Sequence, residues 1–113
     1  MNKICTDIEQ SKKLIELGLD VSTADMLWTY DFTVNDINGL NVISRYLKPE
    51  ENDIPSWSLT VLLGLMPTFT LNGFGNGQFN CRDERANSYA LVDTCPLDAA
   101  FETVCWLLEN KKL

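Results

Sequence analysis

Residues 68–93 read TFTLNGFGNGQFNCRDERANSYALVD, and this stretch decides the fold class. Phe69 and Leu71, Phe79 and Cys81, and Tyr89 and Leu91 each sit two apart, so each pair shares one face of an extended chain. Segments 68–74, 78–83 and 88–93 are therefore expected as three strands. Gly75-Asn76-Gly77 and residues 84–87 are the turns between them. The glycines of 73–77 stand between two strands. A phosphate-cradling loop would run from a strand into a helix, so a hairpin turn is the reading.

Directly downstream, residues 94–110 read TCPLDAAFETVCWLLEN, a helix with its start signal. With Cys95 as N-cap, Pro96 falls at the first helical position, where its missing N–H costs nothing. Leu97, Ala100, Phe101, Val104, Leu107 and Leu108 fill one arc at 3.6 residues per turn and form the expected core face. Cys105 falls among Asp98, Glu102 and Glu109 on the polar side. Trp106 lies outside the core arc. A large aromatic there either packs under another part of the chain or meets a second protein.

Upstream, Thr6-Asp7-Ile8-Glu9 reads as a capping box that opens a helix over 7–17. Ile8, Ser11, Leu14 and Ile15 share one side of it, and Gly18-Leu19 resembles a glycine C-cap. Residues 22–25 suggest one short helical turn. Residues 26–34, MLWTYDFTV, alternate, with Trp28, Tyr30, Phe32 and Val34 as the apolar set of a half-buried strand. Asn38-Gly39 signals a turn, and 41–47 fits either a partner strand or a helical turn. Residues 48–55 read as a polar loop. Ser58 caps a short, largely apolar helix that ends at Pro67. The expected architecture is one α+β domain over 1–113. It has a small antiparallel sheet, made of the C-terminal meander plus one or two N-terminal strands. About three helices pack mainly on one face of it.

The totals narrow the function. The chain has 113 residues, 45% hydrophobic and 22% charged, as a folded globular domain does. Its net charge of −7 repels phosphate backbones and argues against nucleic acid as a partner. The opening MNKICTDIEQ has no apolar core for a secretory signal, and no window is apolar enough to span a membrane. A cytoplasmic location is expected, with Cys5, Cys81, Cys95 and Cys105 as reduced thiols. There is no histidine, which removes Ser-His and Cys-His pairs and most catalytic zinc sites. The cysteines lack CxxC spacing, so no metal or cofactor is expected. Residues 34–45 fail as a calcium loop because Val34 and Arg45 occupy its first and last ligand positions.

Three blocks then resemble a known group: IEQSKKLIELGLDVSTADM (8–26), IPSWSLTVLLGLMP (54–67) and TCPLDAAFETVCWLLENKKL (94–113). Together they cover about half the chain. The group is one of short hypothetical proteins of prophages and mobile elements of Bacteroides-type gut anaerobes. The resemblance implies a bacterial or phage accessory protein acting inside the cell. It implies no activity, and it carries over no functional residue. In that group the last block tends to begin Thr-Pro-Leu-Glu. Here it is Thr94-Cys95-Pro96-Leu97-Asp98, and the added cysteine argues against a shared catalytic role for Cys95.

The leading expectation is a non-enzymatic module that binds another protein or a second copy of itself. Trp106 is the first surface candidate, with Trp28 and Trp57 beside it. The alternative is an enzyme or small-molecule binder using Cys95, a thiol at a helix N-terminus, where its pKa can fall. A further alternative is an acidic mimic of nucleic acid that presents Glu50, Glu51 and Asp53 to a basic host protein.

Overall fold

A computed structural model describes residues 4–30, 40–44, 53–66, 68–86 and 90–113; of residues 29, 30 and 40–44 it describes the backbone alone. The chain is α+β, and among the described residues the strands form two three-stranded antiparallel sheets. The first helix, α1 (Ile8–Glu16), starts one residue later than the capping-box motif suggested. Asp7 is the N-cap. Its carboxylate accepts the Gln10 N–H at 2.8 Å, and the Gln10 side-chain oxygen accepts the Asp7 N–H at 3.1 Å. Thr6 is free of the cap because its side chain is buried elsewhere. At the far end Gly18 adopts φ +97°, where a Cβ would be strained. The Leu19 N–H then reaches the Leu14 carbonyl at 3.0 Å, which closes the helix and turns Leu19 into the core. A single 3-10 turn (Val21–Thr23) follows, capped by Asp20.

Strand β1 (Met26–Tyr30) is the centre of the first sheet. Residues 31–39, with the expected Asn38-Gly39 turn, lie outside the described residues. Of the ambiguous segment 41–47, residues 41–44 are strand: β2 (Leu40–Ser44) pairs antiparallel with β1, Trp28 opposite Val42, and residues 45–47 lie outside the described residues. The expected loop over 48–55 conceals the start of β3 (Ile54–Ser56), which pairs with the other edge of β1. The alternation of β1 does not sort cleanly. Leu27 is buried and Trp28 half-buried, because both faces of the strand are partly covered at this end.

The short α2 (Leu59–Gly64) begins at Ser58, whose hydroxyl accepts the Val61 N–H. The meander follows in the expected order: β4 (Phe69–Gly73), β5 (Phe79–Asp83) and β6 (Ala90–Val92), paired β4-β5-β6, while residues 87–89, the end of the expected turn and the start of the expected third strand, lie outside the described residues. Among the described residues the meander forms its own sheet and does not join the N-terminal strands. Gly75 and Gly77 take φ of +78° and +86° in the hairpin, a region that glycine alone enters freely. The last helix, α3 (Pro96–Glu109), packs on β5 and β6 with one side and on α2 with another. That double cover explains a correction. Ala99, Thr103 and Cys105 are buried along with Leu97, Phe101 and Val104. Cys105 is a core residue, although the helical wheel placed it on the polar side. Small residues on that flank let the sheet approach the helix axis. The Thr103 hydroxyl marks the contact, 3.1 Å from the Cys81 carbonyl of β5.

The helices serve both sheets. Leu14 of α1, Trp57, Leu62 of α2 and Leu107 of α3 meet in one core, each fully buried. α1 itself packs mainly against β3. The Gln10 amide, already part of the α1 cap, donates to Asp98 at 2.8 Å and so ties the start of α1 to the start of α3.

Candidate functional site

The half-buried Trp106 stands on α3 at the rim of the core. Beside it is a surface cavity of about 240 Å³, lined by Ala86, Ala90, Glu102, Thr103, Cys105, Trp106 and Glu109. The floor and the walls come from different elements. Ala86 follows β5, and Ala90 opens β6. These two alanines leave room that larger side chains would fill. The α3 residues occupy positions i, i+3, i+4 and i+7, which places Glu102, Cys105, Trp106 and Glu109 along one strip of the helix. Two exposed carboxylates thus frame an indole. Lys13 of α1 approaches Glu109 at 4.0 Å, an exposed pair that contributes little to stability.

The thiol in this cavity is chemically quiet. Burial pushes the Cys105 pKa up to about 12, and the negative charge of Glu102 adds to the effect. At neutral pH it is a protonated, weakly polar wall. Burial likewise raises the thiols of Cys5 and Cys81. The groove therefore offers an aromatic surface and two acceptors of positive charge, and no activated nucleophile.

The other expected residues fall elsewhere. Cys95 is the N-cap of α3, but its side chain makes no cap hydrogen bond and is 1% exposed. Its thiol points into the core, out of reach of a substrate, which corrects its placement as a catalytic candidate. Thr94 takes the polar role instead and donates its hydroxyl to Asp98. Trp57 is also corrected. It is fully buried, and its indole N–H donates to the Thr23 hydroxyl at 2.9 Å, so it presents no surface. Trp28 is half-buried with its indole N–H on the Thr6 carbonyl at 3.0 Å, on the first sheet and away from α3. Of the acidic group, Asp53 is partly exposed just before β3, and Glu50 and Glu51 lie outside the described residues. Among the described residues no three His, Cys, Asp or Glu side chains gather as a metal site, and no helix is long and apolar enough to cross a membrane.

The sequence pointed to Trp106 but not to the groove beside it. Ala86 and Ala90 carry no pattern of their own. They matter only because the meander folds back over α3. Comparison with protein-family models, curated proteins and solved structures finds no match.

Proposed function

We propose that the chain is a small acidic protein-interaction module that works without catalysis inside the cell. Its α3 groove receives a basic segment of another protein. The carrying observation is Trp106 in a cavity of about 240 Å³ between Glu102 and Glu109. Tryptophan supplies large contact area at low entropic cost and attracts cations to its face. A lysine or arginine entering the groove meets that face and two carboxylates. The net charge of −7 draws basic partners from a distance. The phage or mobile-element origin belongs to the same proposal and rests on the three sequence blocks alone.

The test uses wild-type and Trp106→Ala proteins as bait in lysate of the native cell, at low and high salt. The proposal expects a partner that wild type retains at low salt, that Trp106→Ala loses, and that salt releases. The variant's cooperative thermal transition serves as the control. Equal recovery on both baits overturns the assignment, as does loss of the thermal transition, which would make Trp106 a core residue.

A further inference from the structure

Among the described residues β4 is an end strand of its sheet, with one of its two edges unpaired by any of them. The groups it shows there follow from its pairing. The Glu84 N–H donates to the Thr68 carbonyl at 3.2 Å, and the Phe74 N–H to the Gln78 carbonyl at 3.1 Å. Hydrogen-bonded positions alternate along an antiparallel pair. With Thr70 opposite Arg82 and Asn72 opposite Asn80, Thr70 and Asn72 direct their backbone groups to β5. Phe69, Leu71 and Gly73 turn theirs outward. Among the described residues, no strand pairs with that side.

Edge strands of stable monomers usually carry a guard: a lysine, a proline, a bulge or a covering loop. β4 reads FTLNG. It has no charge and no proline, and its register runs unbroken from Phe69 to Gly73. In a chain of net charge −7 this uncharged edge is a place where a second copy can approach without direct repulsion.

The edge is also complementary to itself. Set antiparallel to its own copy about a two-fold axis at Leu71, it places Leu71 opposite Leu71 and Phe69 opposite Gly73. Each of these pairs is of the type that exchanges backbone hydrogen bonds. The side chains suit the same register. Phe69 is 42% exposed on the face of the sheet that carries α3. Gly73 puts no side chain on that face, and the Phe79 ring packs over it, 3.1 Å from where a Cβ would stand. Phe69 of one copy then lies beside the Phe79 ring that covers Gly73 of the other. On the opposite face Thr70 meets Asn72, so no like charges face each other across the pair.

We propose that β4 is a self-association edge. It pairs with β4 of a second copy, centred on Leu71, and joins the two meanders into one continuous sheet. The experiment is molar mass in solution by light scattering over a wide concentration range. Wild type is expected to rise from 12.8 kDa toward twice that value. Leu71→Pro removes an N–H that faces the open edge and none that bonds β5, a position where an edge strand tolerates proline. It should weaken the dimer at least about tenfold and keep a cooperative thermal transition. Phe69→Ser leaves every backbone group in place and should weaken the dimer less, in the same direction. On raising wild-type concentration, amide exchange should slow at Phe69, Leu71 and Gly73 and stay unchanged at Thr70 and Asn72.

A monomer at all concentrations overturns the proposal. So does a dimer that both variants leave intact, or one lost in Trp106→Ala and kept in Leu71→Pro, which would place the interface at the α3 groove. Retention of wild-type dimer in Trp106→Ala supports it, and leaves the groove reading to its own test.

Discussion

The hydroxyls of Thr6 and Ser56, fifty residues apart in sequence, lie 2.9 Å from each other with both residues fully buried. Thr6 is the hub of a closed network. Its hydroxyl also meets the Ser11 hydroxyl at 2.7 Å and accepts the Trp57 N–H at 3.1 Å. Its carbonyl accepts from Ser56 at 2.7 Å and from the Trp28 indole at 3.0 Å, and its N–H donates to the Trp57 carbonyl at 2.9 Å. This residue holds the chain before α1 against β1 and β3. Thr6→Val keeps the shape and strips the acceptor from a buried N–H. It should cost about 2–4 kcal/mol in denaturant unfolding. Thr6→Ser retains the hydroxyl and should cost about 1 kcal/mol. Equal costs for the two would show that packing matters here and the network does not.

Asp83 ends β5 with a fully buried carboxylate 2.7 Å from the Arg85 guanidinium. Arg85 also donates to the Lys112 carbonyl at 2.7 Å and thereby ties the meander to the end of α3. The Arg85 hydrogen bonds hold the Asp83 pKa below its ordinary value of 3.8. A carboxylate with a depressed folded pKa adds stability above its unfolded pKa, and that stability is lost as pH falls through the folded value. Arg85→Met leaves the buried charge without its main partner and should cost about 2–3 kcal/mol at pH 7. The gap from wild type should narrow as pH drops below about 4. A gap independent of pH would show that Arg85 acts through packing and its bond to Lys112 alone.

Lys111 sits at the C-terminus of α3 with φ +55°. The Lys112 N–H returns to the Leu107 carbonyl at 2.8 Å, so the helix closes as α1 does at Gly18, but without glycine. Lys111→Gly should therefore stabilise the protein by about 1 kcal/mol, visible as a raised thermal midpoint. Gly18→Ala should do the reverse by a similar amount. A neutral or destabilising Lys111→Gly would mean that the lysine side chain contributes more than its backbone costs.

Cys105 should resist alkylation. A thiol whose pKa is pushed up to about 12 by burial and Glu102 holds almost no thiolate at pH 8. Modification in the native state should be slower than that of a free thiol by at least about a hundredfold, as mass spectrometry of native and unfolded protein can show. The raised pKa also means that stability is complete below the unfolded value near 9 and declines as pH rises toward 12. Cys105→Ala should flatten that decline. Fast labelling of native Cys105 would show that the groove opens beyond the geometry described.

The parts legible in the sequence were those set by near neighbours. Gly18, Ser58, Pro96 and the Gly75-Asn76-Gly77 turn each act within a few residues, because caps and turns are local hydrogen-bond and φ requirements. The α3 core arc and the meander strands followed from periodicity alone. Partition of the strands into two sheets did not, since strand pairing joins segments far apart. β3 was hidden in a polar stretch because its place depends on β1. Thr6, Trp57, Cys95 and Cys105 were misplaced for one reason. Each lies where a second element covers a side that its own element leaves open. The groove beside Trp106 is of the same kind. Its tryptophan and carboxylates are written along one helix, but the cavity exists only where the meander closes over that helix and leaves two alanines facing it. Local chemistry was thus determined by the sequence, and burial, pairing and the site by the tertiary structure, because these depend on contacts between residues that the chain order keeps apart.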